Sequence, residues 1–375
     1  MRRHSNCITK LAKERAILKL ESISSRRGST FLSQAVLASI VFFSAAAFSA
    51  SRLKISNAEV SPSLAGNFED LVGKTFERQI SHGTSSDFLR RMGQSVVLSH
   101  SSAGVDYASD FRFLSFSLGT GLGYQEGYAS LDDVISGRES PDGLSGLAAQ
   151  VGMTLGLHFH EAQRSRFFLS YLQSNFSEDG LKVTGNGFGV LWQYRVLSEK
   201  VLAGPFAEFR GLHFGAGLRY AEFNSEYETR LLGLQVNGSS IASELSDYKL
   251  NAAANLDLQS EVSVWSVPLE ISAAVNFFRS ISFYSLLGMD INFGNSSAQA
   301  VLNSPVEIQD TKTAAKLASA DVSLVSLQEE TVDRTHYRGL LGMQFELGRG
   351  SVFIQYQRAF DIGTHAASLG FRAYY

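Results

Sequence analysis

The sequence predicts an all-β, transmembrane, antiparallel up-and-down barrel of about ten strands, within a range of roughly 8–14, behind a short N-terminal helical segment. Three observations carry that expectation. The chain starts with an export-like leader, continues in strands whose polar face is built of small residues, and stops on the aromatic pair Tyr374-Tyr375.

The leader comes first. Residues 1–49 hold eight basic residues (Arg2, Arg3, Lys10, Lys13, Arg15, Lys19, Arg26, Arg27) and two acids, Glu14 and Glu21. The apolar run Phe31 to Phe48 then ends in small residues, the order of a secretory signal peptide. Ala47 and Ser49 suit cleavage before Ala50, so residues 1–49 are expected to be a signal peptide. The competing reading is a retained membrane anchor, for which the run is short and rich in Ser and Ala. Of the 33 basic and 36 acidic residues in the chain, 25 and 34 follow the leader, a net charge of about −9. That balance disfavours a nucleic-acid partner, which needs a basic surface, and none is expected. The only cysteine, Cys7, lies in the leader, so neither a disulfide framework nor a Cys-based metal site is expected downstream. No cofactor is implied.

Residues 50–109 are expected to form a helical plug or periplasmic cap. Ser61 can cap a helix with Pro62 at its first position, and Leu64, Phe68, Leu71, Val72 and Phe76 recur at helical spacing. A second, shorter helix is expected from Ser86-Asp87, carrying Phe88, Leu89 and Met92.

Residues 110–375 are expected to be the barrel. Along Phe111–Tyr124, apolar Leu114, Phe116, Leu118, Leu122 and Tyr124 alternate with Ser and Gly; Leu147–His160 alternates as cleanly. Further strands are expected at Arg166–Phe176, Val183–Val196, Phe206–Phe223, Val262–Phe278, Ile281–Phe293, Tyr337–Leu347, Val352–Phe360 and Ala366–Tyr375. A solvated sandwich would also alternate, but its polar face would carry more Lys and Glu than this Gly, Ser, Thr, Gln and Asn face. Aromatics at strand ends (Tyr124, Trp192, Tyr194, Tyr220, Phe293, Tyr337, Tyr356) are placed as girdle residues. Short turns at 161–165, 199–205, 279–280 and 348–351 interleave with long loops at 125–146, 223–261 and 295–336, as between the two sides of an outer membrane. Outer-membrane lipid is thus the expected surrounding. Ser368-Leu-Gly370-Phe-Arg-Ala-Tyr-Tyr375 has the form of a C-terminal assembly signal, with Gly370 and Tyr375 as its marks and the barrel-assembly machinery as its reader.

The chemistry-bearing residues read as lumenal rather than catalytic. Gly119-x-Gly121-x-Gly123 and Gly185-x-Gly187-x-Gly189 lack the strand-to-helix context of a phosphate loop and read as room for interior packing or a plug. Inward Arg195, Arg219, Arg338 and Arg372, with Asp290 and Glu346, fit internal ion pairing better than a selectivity ring. His158 and His160 share a face beside Glu161 but have no third metal ligand, so a polar network is preferred. His213 lies on the inner face of its strand; a hydrolase constellation with a Ser or acid is conceivable, but no such set assembles from spacing. No enzyme is expected.

Gly104-Val-Asp-Tyr-Ala-Ser109, Ser266-Val-Pro-Leu-Glu-Ile271, Phe283-Tyr-Ser-Leu-Leu-Gly-Met-Asp-Ile-Asn-Phe-Gly294 and Tyr337-Arg-Gly-Leu-Leu-Gly342 resemble runs of a spirochaete outer-membrane (lipo)protein family, the leptospiral surface adhesin family. With the C-terminal strands the resemblance covers most of residues 85–375. It implies surface exposure and, for some relatives, binding to host extracellular-matrix proteins. The lipid-bearing cysteine that a lipoprotein needs at the cleavage point is missing here. Three functions are carried forward: a surface barrel with a structural or adhesin-like role through its long loops, a narrow or gated channel with a helical plug and apolar solutes as a candidate cargo, and, last, a lumenal or rim hydrolase around His158, His160 or His213.

Overall fold

Alternation at period two builds the strands, and the strands close on themselves. The computed structural model describes residues 48–62, 64–80, 86–102, 104–108, 113–125, 148–158, 164–178, 180–204, 206–237, 247–361 and 363–375. Strand β1 (Phe48–Val60) leads into helices α1 (Phe68–Ile80) and α2 (Ser86–Ser102). Then follow β2 (Leu114–Gln125), β3 (Ala148–His158), β4 (Ser165–Glu178), β5 (Leu181–Leu197), the two-residue β6 (Lys200–Val201), β7 (Ala207–Asn237) and β8 (Tyr248–Phe277). The chain finishes with β9 (Ile281–Asp310), β10 (Lys316–Thr331), β11 (Thr335–Leu347), β12 (Gly350–Ala359) and β13 (Thr364–Tyr374).

The pairings β2-β3-β4-β5-β7-β8-β9-β11-β12-β13 run in order, all antiparallel, and β13 returns to β2, giving the expected ring of about ten strands. Closure leaves the ring without an open strand edge, the condition for crossing lipid. The seam is at the chain terminus: Phe113 and Leu114 donate to the Tyr375 carbonyl at 3.1 Å, and Tyr375 N–H donates to Leu114 at 2.8 Å. The outward surface is apolar, with Leu287, Leu341, Leu369 and Ile354 all more than half exposed. Lipid covers them.

Five aromatics stand in register on neighbouring strands, Tyr171, Phe188, Tyr220, Trp265 and Phe293. The rings of Phe188, Tyr220 and Trp265 touch, with Tyr220 and Trp265 centroids 4.9 Å apart. They form one interfacial belt. Phe277 and Phe283 lie toward the other edge, 5.9 Å apart. From Trp265 to Phe277 the strand covers roughly 40 Å at ~3.3 Å per residue, or roughly 28 Å of depth at a ~45° tilt. That matches an apolar band of about 25 Å.

Strands β7, β8 and β9 do not stop at the belt. The stretches expected as loops 223–261 and 295–336 are largely strand: β7 pairs β8 out to Asn237–Lys249, β9 pairs β10 from Asn295 onward, and β1 lies along β10. These five stretches form a sheet that projects beyond the membrane. On β8 and β9 the even-numbered residues stay on one face throughout, but their character changes at the belt. Inside the ring they are mostly polar, Ser266, Glu270, Ser272 and Asn276 with Ser282, Asp290 and Asn292, beside an apolar patch of Ala274, Tyr284 and Leu286. Beyond it they are Leu250, Ala252 and Ala254, with Ala300, Leu302, Val306 and Ile308, and α1 covers them with Leu64, Phe68, Leu71, Val72 and Phe76. The opposite face changes the other way, from Trp265, Ile271 and Leu287 to exposed Asn255, Gln259, Glu261, Gln299 and Asn303.

Several sequence expectations change in detail. Residues 50–60, placed within a helical segment, are β strand. The first helix starts at Phe68 rather than beside Ser61, because Ser61–Asn67 is taken up by turns linking Leu64 to Ser61 and Asn67 to Leu64. Its buried stripe is nonetheless the predicted one. The second helix is longer than expected, 17 residues. Neither helix sits at the short-turn mouth: β1 and α1 lie on the long-hairpin side, and α2 descends into the lumen from there. The β2–β3 loop, His160, Glu161 and residues 1–47 of the leader lie outside the described residues; β1 begins at Phe48, two residues before the expected cleavage.

Leu287→Arg, on the lipid face near mid-depth, should destabilise the inserted barrel by roughly 2–4 kcal/mol, measured as a lower midpoint of urea unfolding in vesicles. A threaded chain also fixes sidedness. In a Cys7→Ser background, Lys54→Cys should react with an impermeant maleimide on intact cells, whereas Ser280→Cys in the opposite turn should react only after permeabilisation.

Candidate functional site

Helix α2 enters the ring where the wall is interrupted. β10 and β11 both pair with β9 and run in the same direction, with a break at residues 332–334. Gly93 faces that break, and a Cβ there would come within 2.7 Å of Val332. Gln94 hydrogen-bonds the Asp333 carboxylate, and Ser296 donates to the Leu89 carbonyl at 2.8 Å. Lower down, His100 packs on the glycine row of β5: a Cβ on Gly187 would meet its ring at 2.5 Å. The glycine runs therefore make room for a plug. Gln357 donates to Ser101 at 2.7 Å from the far wall.

After α2 the chain continues as Gly104–Ala108 inside the ring and reaches the short-turn end at Phe113. Two buried ionic networks hold this segment. In the first, Arg338 donates to Glu270 at 2.9 Å and to Asp290 at 2.8 Å, all three side chains fully or almost fully buried. Asp290 also lies 3.1 Å from His336, which bonds Asn292 at 3.0 Å. Glu270 accepts from Tyr107 at 3.3 Å and from Gln193 at 3.4 Å. In the second, Arg372 donates to the Val105 carbonyl at 2.6 Å, lies 3.5 Å from Asp106, bonds Gln344, and stacks 4.0 Å over Phe353. Fully desolvated arginines are tolerated because each meets carboxylate or carbonyl oxygens.

The predicted lumenal residues divide accordingly. Arg338 and Asp290 meet directly, and Arg372 holds the lumenal segment. Arg219 is buried beside Gly189 and His100. Arg195 pairs with Glu199 at 2.7 Å, and Glu346 accepts from Asn276 at 3.1 Å and Ser282 at 3.2 Å. These last two sit toward the short-turn end and do not join the central network. His158 is half-buried at the end of β3, opposite Arg166. His213 is buried, opposite Arg195 on β5 and Ser272 on β8. Gly370 admits Phe353 closely against β13, and Tyr375 closes the seam. Glu270, Asp106, Tyr107, His336 and Gln344 were missed. Glu270 shares the inward parity of β8, and Asp106 and Tyr107 lie in the Gly104–Ser109 run, which the sequence marks only by its resemblance to the family.

A second feature lies outside the membrane. The water-facing side of the projecting sheet carries a groove of about 720 Å³, lined by Glu59, Lys249, Asn251, Glu307 and Asp321 among others. At the sheet tip, Lys312 bonds Asp247 at 2.8 Å, which raises the pKa of the ammonium, and the backbone N–H groups of Thr313 and Lys312 lower that of the Asp310 carboxyl.

A closed ring with an apolar exterior, a polar interior and an aromatic belt defines a transmembrane β-barrel of the outer membrane. Within that class the chain belongs to the Lsa36-like family, whose model matches residues 53–374. No curated protein sequence matches it. Solved structures with a similar fold include the CymD monoaromatic hydrocarbon channel, at 8% identity over 78% of this chain and 99% of that one, TM-score 0.27. The translocator domain of autotransporter NalP from Neisseria meningitidis is 10% identical over 82% and 98%, TM-score 0.27. The outer membrane protease OmpT from Escherichia coli is 8% identical over 73% and 99%, TM-score 0.33. At such scores none of them bears on function.

Replacing Arg338 by Met leaves Glu270 and Asp290 without their cation and should cost about 3–5 kcal/mol. Adding Glu270→Gln and Asp290→Asn should recover part of that loss, read from urea midpoints of the barrel in lipid vesicles.

Proposed function

We propose that this protein is a surface-displayed binding barrel, with the projecting sheet as its contact surface and host extracellular-matrix proteins as the partner class that the family suggests. One observation carries the reading. The lumen is taken up by the chain itself, while the strands continue past the membrane into an ordered, helix-backed sheet. A conduction path would need α2 to leave a wall to which it is bonded from Leu89 to Ser101. A binding surface needs nothing to move. The groove bearing Glu59, Lys249, Glu307 and Asp321 faces water with mixed charge, which suits protein contact.

The same reading is non-enzymatic. His213 and Ser272 are neighbours on the wall but only 3% and 2% exposed, beneath the plug, where a macromolecular substrate has no access. Insertion is assigned to the barrel-assembly machinery acting on the strand that ends in Gly370-Phe-Arg-Ala-Tyr-Tyr375.

The experiment pairs two measurements on the refolded protein. In planar bilayers it should give no stable ohmic steps. In nanodiscs it should bind one or more members of a panel of immobilised matrix proteins, and Lys249→Glu with Glu307→Arg should weaken that binding several-fold. Stable steps together with absent binding would restore the gated-channel reading.

A further inference from the structure

Above the plug, inside the long-hairpin rim, lies a cavity of about 220 Å³. Its floor is Phe88 and Met92 of α2, both at most 6% exposed. Its walls are Phe176 of β4, Val183 of β5, Phe223 of β7 and Leu258 of β8. The register places Phe176 opposite Val183, Val183 opposite Ser225, and Ser225 opposite Ser260, so the wall is a single level of the ring's inner face. That level stands five residues above the Trp265 belt, beyond the lipid. The cavity opens to the outside, since Phe176, on an inward-facing position, is 48% exposed.

From this geometry we infer a binding site for one small, uncharged, largely hydrocarbon molecule of ring size. The lining holds no charged side chain, only the hydroxyls of Ser225, Tyr227 and Ser260. An ionic ligand would lose its hydration there without compensation. Aromatic walls and a thioether floor favour a flat or branched apolar guest, and methionine adapts to its outline. Size sets the upper limit. An apolar cavity of about 150 Å³ accommodates benzene, so this one takes a ring with a few further carbons, about ten heavy atoms. The helices contribute as well as the strands: the floor exists only because α2 stops the lumen at this depth. The plug that closes the pore therefore builds the site.

The test uses the whole barrel in lipid nanodiscs, with naphthalene as probe and its own fluorescence as readout, against empty nanodiscs. Saturable binding of one molecule per chain is expected. Ser225→Phe, which fills the cavity from the rim, should weaken it more than tenfold, whereas Leu287→Ala on the lipid face should leave it unchanged. Ser260→Leu fills the same space from the neighbouring strand and stands in if Ser225→Phe fails to show the heat-dependent gel shift of a folded barrel. Binding that is non-saturable in every protein, or equally tight in the filled variants, overturns the site.

Discussion

A strand that passes from lipid into water keeps its pleat but must exchange the polarity of its two faces. Everything distinctive here depends on that exchange in β8 and β9. Within the membrane their outward residues meet lipid and their inward residues meet a polar lumen. Past the Trp265–Phe293 pair the outward residues meet water, so the inward row is free to become apolar. An apolar row standing above a membrane needs a cover, and α1 supplies it. Burying Phe68, Leu71 and Phe76 completely or nearly so, at about 1.5–3 kcal/mol per side chain, fixes the start of the chain to the outer sheet. The direction from which α2 enters the ring follows from that anchorage.

The lumen then has to accept a helix. A ring of about ten strands is close to the size that side chains nearly fill, so a helix fits only where the wall is small. Gly123, against the Ser95 carbonyl, and Gly187, against His100, provide the closest approaches, and the β10–β11 break opens the wall at the level where α2 passes. Polar contacts join an apolar one in the lower part: Arg372 grips Asp106 and the Val105 carbonyl, Glu270 grips Tyr107, and Val105, Tyr107 and Ala108 pack on Phe168, Tyr284 and Leu286 of the wall. Arg338 is balanced by Glu270 and Asp290 of the wall, and Arg372 lies beside Asp106 of the plug. The contrast with α1 is physical. The upper contact is apolar and tolerant in register, while the lower one adds ionic contacts specific to one register.

The sequence foretold the membrane-crossing parts closely, because lipid enforces a strict alternation and each strand could be read alone. Leu114 to Gln125 or Ile281 to Phe293 needs no partner to be recognised. The projecting sheet was read as loop for the opposite reason. Its alternation persists with reversed phase, and a reversed phase joined to a normal one reads as the end of a strand. The ionic partners divide in the same way. Arg338 and Asp290 stood out as charges inside short strands, but Glu270 was hidden in an apolar run. Asp106 and Tyr107 belong to a segment with no period at all, whose place is set by Arg372, Glu270 and the apolar wall around Tyr284.

Topology closes the argument. The barrel begins and ends at the short-turn side, as ten strands require, and taken alone that would leave the preceding residues in the periplasm. The lumenal segment adds one more crossing. Because Phe113 sits at the Tyr375 seam and β1 lies along β10 above the belt, the chain between them traverses the whole membrane through its own pore. An odd number of crossings puts β1 outside, at an edge of the projecting sheet among the described residues, where exposed Arg52 and Lys54 guard against edge-to-edge pairing. The same stretch of chain thereby runs through the barrel interior and completes the sheet that projects beyond the belt, so the two features share one structural origin.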